Sequence, residues 1–441
     1  MFFSICARIA RAPTPAARGL AVSRLLLVAV ALAPLYAAAQ NPTPLSLPEA
    51  LRLAQARSPQ LAAQSAAIGA AESLIISAGQ QPDPQLGIGV ENLPVNGSDA
   101  FSVGRDFMTM RKIGISQQFT RTEKLHAREA KAVAERQREQ AKLISAETDL
   151  RRQVALAWLD RYFIEQRLRV LRDLERETAL LAEASRAALA GGKGSPADPI
   201  IARTARVQVQ DRIQEVDRDV KGAQASLARY VGETEAARPL DKPPLFYLLP
   251  HTPNEFLQVL EHHPQLLTYE PMEAMARADI AEAQAAKKPD WSLELAYAQR
   301  GSSFSNMVTI QARIDLPIFS KKRQDPVIAA RSKALEQVQA EREEARRMHE
   351  AEIKRMLADW ETARARLKRY WEELVPLSRE AAAAALAAYR SGRGNLAAAL
   401  EARRTAIETR FADVQTQAEL ARAWANLNFL VPESAPRKDV R

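Results

Sequence analysis

The chain of 441 residues contains one cysteine, Cys6, and none after it. Beyond that point no disulfide and no thiolate metal site can form, and no cysteine is left to carry a lipid at a cleavage site. Aromatic residues make up only 6%, and glycine is scarce at 16 residues, while charged residues reach 26%. That balance argues against a sandwich or a doubly wound sheet and favours long helices. Acidic residues are missing from the first 39 positions, which hold Arg8, Arg11, Arg18 and Arg24. Those four arginines account for nearly half of the formal charge of +9. The remainder is a mildly basic, solvated surface and not a nucleic-acid footprint.

The same N-terminal stretch carries an apolar run, Leu25 to Ala33, followed by Ala37-Ala38-Ala39 and Gln40. A basic region, a short apolar core and an A-x-A site predict a secretory signal over residues 1–39. The run is shorter than the ~20 apolar residues that a spanning helix needs. No later stretch is expected to be long enough either, so no helix is expected to hold the chain in a bilayer.

What is present is repetition. Ser58-Pro59-Gln60-Leu61 returns as His263-Pro264-Gln265-Leu266, and Pro82-Asp83 as Pro289-Asp290. The offset then settles at 200: Phe119 with Phe319, Gly192-Lys193-Gly194 with Gly392-Arg393-Gly394, Leu227 and Val231 with Leu427 and Val431. This gives a first repeat over 40–237, a proline-rich linker over 238–253, a second repeat over 254–432 and a tail over 433–441. Each repeat opens with a short helix, at Leu47 and at Asn254, where Thr252-Pro253-Asn254 supplies a cap. A β-hairpin follows (about 84–119 and 290–319), then a pair of long helices (about 120–232 and 325–431).

Residues from about 121 to 190 contain neither proline nor glycine. One helix over that stretch would be on the order of 100 Å long. Such a helix needs partners along its side. Ile353, Met356, Trp360, Ala363, Leu367, Tyr370, Leu374 and Leu377 step by three and four, a coiled-coil seam. Val209, Ile213, Val216, Val220, Ala223, Leu227 and Tyr230 do the same. Pro376 should kink or interrupt its helix.

The hairpins read differently. Val308, Ile310, Ala312, Ile314 and Leu316 alternate with Thr309, Gln311, Arg313 and Asp315, giving one apolar and one polar face. Trp291 to Tyr297 alternates too. In the first hairpin Leu86, Ile88 and Val90 alternate with Gly87, Gly89 and Glu91. Ile113 and Ile115 lie on its return strand, with Met108 and Met110 out of phase. Such faces pack on a soluble core or stand between lipid and water. Four strands are too few for a closed barrel, which needs about eight or more. An open sheet is not tolerated in lipid, so a barrel would have to be shared between chains.

Taken together these features resemble the TolC-like outer-membrane efflux proteins over nearly the whole length after the signal. Val375-Pro376-Leu377 with Ala387-Ala388-Tyr389-Arg390-Ser391-Gly392 is similar to that family's signature before its second tip turn. Ser116-Gln117-Gln118-Phe119 and Asp315-Leu316-Pro317-Ile318-Phe319 resemble its strand-to-helix exits. The resemblance implies a mainly α fold with a β-barrel part, assembled as a homotrimer with a barrel of about 12 strands in outer-membrane lipid. A helical tunnel would cross the periplasm below it. The implied partners are a periplasmic adaptor and an inner-membrane RND-type pump. No cofactor is implied.

By the same resemblance, Gly192, Lys193, Gly194, Gly392, Arg393 and Gly394 would form the adaptor-docking tip. Their plainer reading is two helix-ending turns. The family narrows at acidic rings just past the second turn. That position falls on Ala398, which departs from the pattern, and on Glu401. Asp198, which matches 398 at the offset of 200, would supply the missing acid. The alternative for Glu401 is an ion pair with Arg404 or another neighbour on a solvated helix. Glu91-Asn92-Leu93-Pro94 and Met108-Thr109-Met110-Arg111 resemble the heavy-metal branch of the family. No metal site is expected: His262-His263 and His349 show no ligand constellation with each other. A periplasmic adaptor would have one helical hairpin between paired flanking halves, whereas this chain has two repeats. A coiled-coil scaffold leaves the strands unexplained. Without a nucleophile elbow, zinc spacing or phosphate loop, no enzyme is expected.

Overall fold

The computed structural model describes residues 43–192 and 195–432. The expected signal with Cys6, the tail, and Lys193 and Gly194 of the first turn lie outside the described residues.

Two capped helices open the fold. The Ser46 hydroxyl accepts the Glu49 N–H at the start of α1 (Leu47–Arg57). Ser58 does the same with Leu61 for α2 (Pro59–Ala78). In both, proline sits in the first turn, where its missing N–H is no loss. The 20-residue α2 has a mean hydropathy of 1.3 and is long and apolar enough to cross a membrane by length and composition. This corrects the expectation that no later stretch qualifies. Alanine, not leucine, dominates it, which hides it from a search for bulky apolar runs.

A hairpin follows, β1 (Gln85–Glu91) and β2 (Met110–Phe119), and then α3 (Thr122–Ala190). At 69 residues α3 is about 100 Å long. On it docks α2, where the Gln64 side chain donates to the Glu139 carboxylate at 2.8 Å and carbonyl at 3.0 Å. The chain turns at Gly192 and returns along α3 as α4 (Asp198–Val231). Gly232, at φ +96°, ends α4 and leads into the single turn α5 (Glu233–Ala236). After the linker, α6 (Pro253–Gln258) starts with a full capping box between Thr252 and Glu255. Then come α7 (Tyr269–Ala285), the hairpin β3 (Trp291–Gln299) and β4 (Met307–Ile314), and α8 (Gln324–Arg369). A π-turn over Tyr370–Leu374 joins α8 to α9 (Val375–Arg390), and α10 (Leu396–Asn428) completes the chain.

One large core lies where these helices meet the linker. Trp158, Leu159 and Val154 of α3 pack with Leu227 of α4 and Leu420 of α10, all fully buried. Two tryptophans fasten extended segments to it. The Trp158 indole N–H donates to the Leu45 carbonyl, and that of Trp360 to the Phe246 carbonyl, each at 3.1 Å. Each such bond contributes on the order of 1 kcal/mol, and leaving the buried partner bare would cost more. Arg161, itself buried, holds the carbonyls of Ala236 and Arg238. Arg238 in turn forks onto Glu49 at 2.9 and 3.1 Å and onto the Thr43 carbonyl at 2.8 Å. The Arg238 guanidinium holds the Glu49 carboxyl below its usual range.

The seam along α8 is buried from Ile353 to Leu367, but Leu374 and Leu377 are exposed. The π-turn adds a residue to the turn and so rotates everything after it off the packed stripe. Pro376 sits in the first turn of α9, directly after that π-turn. The proline is absorbed there by a wider turn and not by a break in the helix.

His263 and His349, which share no motif, are brought together by the fold. Their rings stack, centroids 3.8 Å apart, with both residues buried. Burial, and secondarily the charges of His349 and Arg152, push the His263 imidazole down to about 3. Its pKa in the unfolded chain is about 6.5. Between those values the unfolded state binds the extra proton, so His263 contributes stability that is complete above about pH 6.5 and is lost as pH falls toward about 3. His263→Gln should therefore flatten the fall in melting temperature across that window. An unchanged pH profile would show that His263 does not titrate as described.

Candidate functional site: a two-faced sheet and a helical tip

The four strands form one antiparallel sheet in the order β1-β2-β3-β4. Register puts Leu86, Ile115, Leu295 and Ile310 in one cross-strand row, and Ile88, Ile113, Tyr297 and Val308 in another. These eight side chains share a face, and all are exposed. A third row, Phe119, Trp291 and Ile314, closes that face at the helical end, with the Phe119 and Trp291 rings stacked at 4.1 Å. The expected run of β4 to Leu316 stops as a strand at Ile314, with the Asp315 N–H still donating to the Asp290 carbonyl across the pair.

The other face is small and polar. Gln85, Ser116, Glu294 and Gln311 form one row, and Gly87, Gly114, Ala296 and Thr309 the next. A Cβ on Gly114 would come within 2.7 Å of the Ala296 Cβ, so this face is crowded. Lys112 bridges Glu91 and Glu294, at 2.9 Å to each. This triad ties β1, β2 and β3 and was not read from the sequence. The signal was there, since Lys112 shares the phase of Gly114 and opposes Ile113 and Ile115. Met110 falls on this polar face, which explains why it is out of step with the isoleucines. At its helical end the polar face opens into a cavity of about 260 Å³ lined by Asp83, Asp290, Glu294, Arg313 and Asp315 among others.

Both outer strands leave one backbone edge unpaired among the described residues. Beyond the far end of the sheet the two loops meet. The Arg300 guanidinium donates to the Phe107 carbonyl at 3.1 Å, and Gly301 packs against the Gly104 backbone so closely that no side chain fits.

At the opposite end of the helices two turns come together. Gly192 and Gly392 have φ of +73° and +72°, the left-handed geometry that ends each first helix. Gly394 has no such requirement, but a Cβ there would meet Ala388 at 3.2 Å. Arg393 is exposed. Ala182, Ala202 and Leu396 form a small core here, with Tyr389 and Leu400 against it. Asp198 starts α4, and its carboxylate accepts the Ser195 N–H at 3.2 Å, so it has a local task at the helix start. It also lies near Tyr389, whose hydroxyl is raised first by burial and then by the Asp198 charge. Glu401 is exposed beside a groove of about 720 Å³ between α4 and α10. The considered Glu401–Arg404 pair does not form, because the Arg404 side chain turns to Glu408 at 3.0 Å.

Solved structures share this architecture. A membrane protein from Pseudomonas aeruginosa superimposes with a TM-score of 0.74 at 19% identity, over 88% of this chain and 90% of that one. The outer membrane protein VceC of Vibrio cholerae gives 0.72 at 18% identity, over 88% and 96%. The open state of the Neisseria gonorrhoeae MtrE outer membrane channel gives 0.70 at 18% identity, over 87% and 88%. At these identities the likeness is one of fold. No curated protein matches. Residues 257–431, however, match the family described as Outer membrane efflux protein. Over these residues the chain is similar to the outer membrane efflux proteins. An efflux protein of this family is a transport channel and not an enzyme, and it sits in the outer membrane with its helical part in the periplasm. The sequence-level resemblance to TolC-like channels thus stands.

Proposed function

We propose that the chain is one of three identical subunits of an outer-membrane efflux duct, coupled through a periplasmic adaptor to an inner-membrane pump of the RND type. The observation that carries this reading is the sheet: apolar and exposed on one face, polar and crowded on the other, unpaired at both edges. In lipid each unpaired backbone group costs several kcal/mol, so the edges must meet another chain. Three copies of the four-stranded sheet would close a barrel of about 12 strands, apolar outside and wet inside. The order helix, hairpin, long helix pair occurs twice along the chain, which supports two tandem repeats over 40–237 and 254–432. A heat-modifiable trimer in the outer-membrane fraction, seen on unboiled gels, is the expected outcome. A soluble periplasmic monomer would end the proposal.

The tip turns at Gly192 and Gly392, with Lys193, Gly194, Arg393 and Gly394, are the proposed adaptor contact. Asp198 and Glu401 are the proposed acidic constriction, supported by their place at the same end of the helices and by Glu401 lacking an ion-pair partner among the described residues. Rings of such acids favour cations and narrow the entrance. Replacing both, Asp198→Ala with Glu401→Ala, should raise single-channel conductance and weaken cation block. Wild-type values in the double variant would remove these residues from the gate.

Heavy-metal cations are the proposed cargo, on the likeness of residues 91–94 and 108–111 to that branch of the family. Deleting the gene should then lower tolerance to copper, silver, zinc, cobalt or cadmium salts, and unaltered tolerance to all five would reject this cargo.

A further inference from the structure

The two hairpins leave the sheet in the same direction but spend their charges differently. After β2, Arg121 donates its backbone N–H to the Asp290 carboxylate at 3.0 Å and its guanidinium N–H to the Pro289 carbonyl at 2.9 Å. Lys124 reaches the same Asp290 at 2.6 Å, and Glu123 takes Lys288 at 2.6 Å. Every basic residue at this exit is consumed within the chain. The equivalent exit after β4 carries Lys321, Lys322 and Arg323 in and beside a short 3₁₀ turn, Ser320–Lys322. All three are exposed, and none of their side chains has an ion-pair or hydrogen-bond partner among the described residues.

Directly before them stand Leu316, Ile318 and Phe319, which are 69%, 75% and 65% exposed. A backbone bond from the Ile318 N–H to the Leu316 carbonyl bends the chain there, and the Lys322 and Arg323 N–H groups close back on the Phe319 carbonyl. The bulky apolar side chains and the three cations are thereby held within one turn of each other. They continue the apolar face of the sheet, whose last row is Phe119, Trp291 and Ile314. Apolar surface next to unpaired cations is unfavourable in water on the first count and free for a partner on the second. An anionic lipid answers both, with its chains against the apolar residues and its phosphate against the cations.

We propose that Leu316, Ile318 and Phe319 with Lys321, Lys322 and Arg323 form a binding site for anionic phospholipid headgroups in the leaflet that faces the helical part. This rests on the proposed membrane position of the sheet. The site anchors the depth of the barrel and marks the second hairpin's exit as the side from which lipid grips each subunit. The first exit, with its cations already paired, does not take part.

The test uses the full-length protein purified in detergent, and phosphatidylglycerol against phosphatidylcholine as the probe lipids. Native mass spectrometry should show phosphatidylglycerol retained in preference to phosphatidylcholine, with the preference fading as salt rises. Lys321→Gln/Lys322→Gln/Arg323→Gln should still run as a trimer on unboiled gels and should lose phosphatidylglycerol affinity on the order of a hundredfold. Equal retention of the two lipids by the wild-type protein, or undiminished preference in the triple variant, overturns the site. So does a variant that falls to monomers while the wild type is trimeric, because the cations would then be meeting a neighbouring subunit and not lipid. If the variant does not fold, the salt dependence of the wild-type preference decides on its own. A wild-type protein that fractionates as a soluble monomer would instead refute the duct reading underneath.

Discussion

A β-sheet edge in lipid is the constraint from which the rest of this molecule follows. Water cannot hydrogen-bond the free N–H and C=O groups of β1 and β4 there, so the sheet is viable in a membrane only as part of something closed. The chain has just four strands, and its polar face is narrowed by Gly87, Gly114 and Ala296. Small residues on one face and large ones on the other suit a sheet closed with its polar face inward. On the proposed barrel, assembly is not an addition to a folded subunit but the step that satisfies its backbone. The Lys112 bridge to Glu91 and Glu294 matters in the same way, since it fixes the register of three strands on the face where a one-residue slip would bring isoleucine inward.

The helical part must hold that sheet at a defined height, and it does so through the core around Trp158 and Trp360. A helix of 69 residues draws most of its stability from packing one face against partners. It needs partners along its length, and α2, α4, α7 and α10 supply them. The extended segments near Leu45 and Phe246 are the other half of this belt. Their carbonyls are held by indole N–H groups, and Arg161 and Arg238 tie the linker between the halves to the start of the chain. Arg238 touches Thr43 and Glu49 across a sequence separation of 195 and 189 residues. The two halves are therefore welded at one level, and the sheet and the tip project from it in opposite directions.

Much of this was legible in the sequence because it rests on periodicity. Alternation located both hairpins, spacing by three and four located the seams, and the Gly-x-Gly pairs located the two turns. The failures have specific causes. Leu374 and Leu377 continue the spacing of the α8 seam, yet a π-turn takes them off it, and nothing in the apolar pattern announces an extra residue in a helical turn. Pro376 was the only hint, and it admits either a kink or a widened turn. α2 was overlooked because hydropathy built from alanine does not look like a membrane run. The stacked His263 and His349 are separated by 86 positions and belong to no motif, so only the fold brings them together. At the tip the sequence located the acids but not their neighbours. Asp198 is partly occupied with the Ser195 N–H, and Glu401 is left free because Arg404 turns the other way.

The two halves share a plan, and their departures from it carry the information. Where the first half has an uninterrupted α3, the second has α8 and α9 joined through a π-turn. A π-turn leaves one carbonyl less well paired and lets the following segment change direction at small cost, which is why such turns gather at working positions in helices. It sits between the packed stripe of α8 and the tip, where α9 continues beside an unbroken α10. Repeats related by 200 residues would make a channel wall of equal staves. On the proposed duct, each subunit would then present one continuous and one interrupted arm at the end where Asp198 and Glu401 lie.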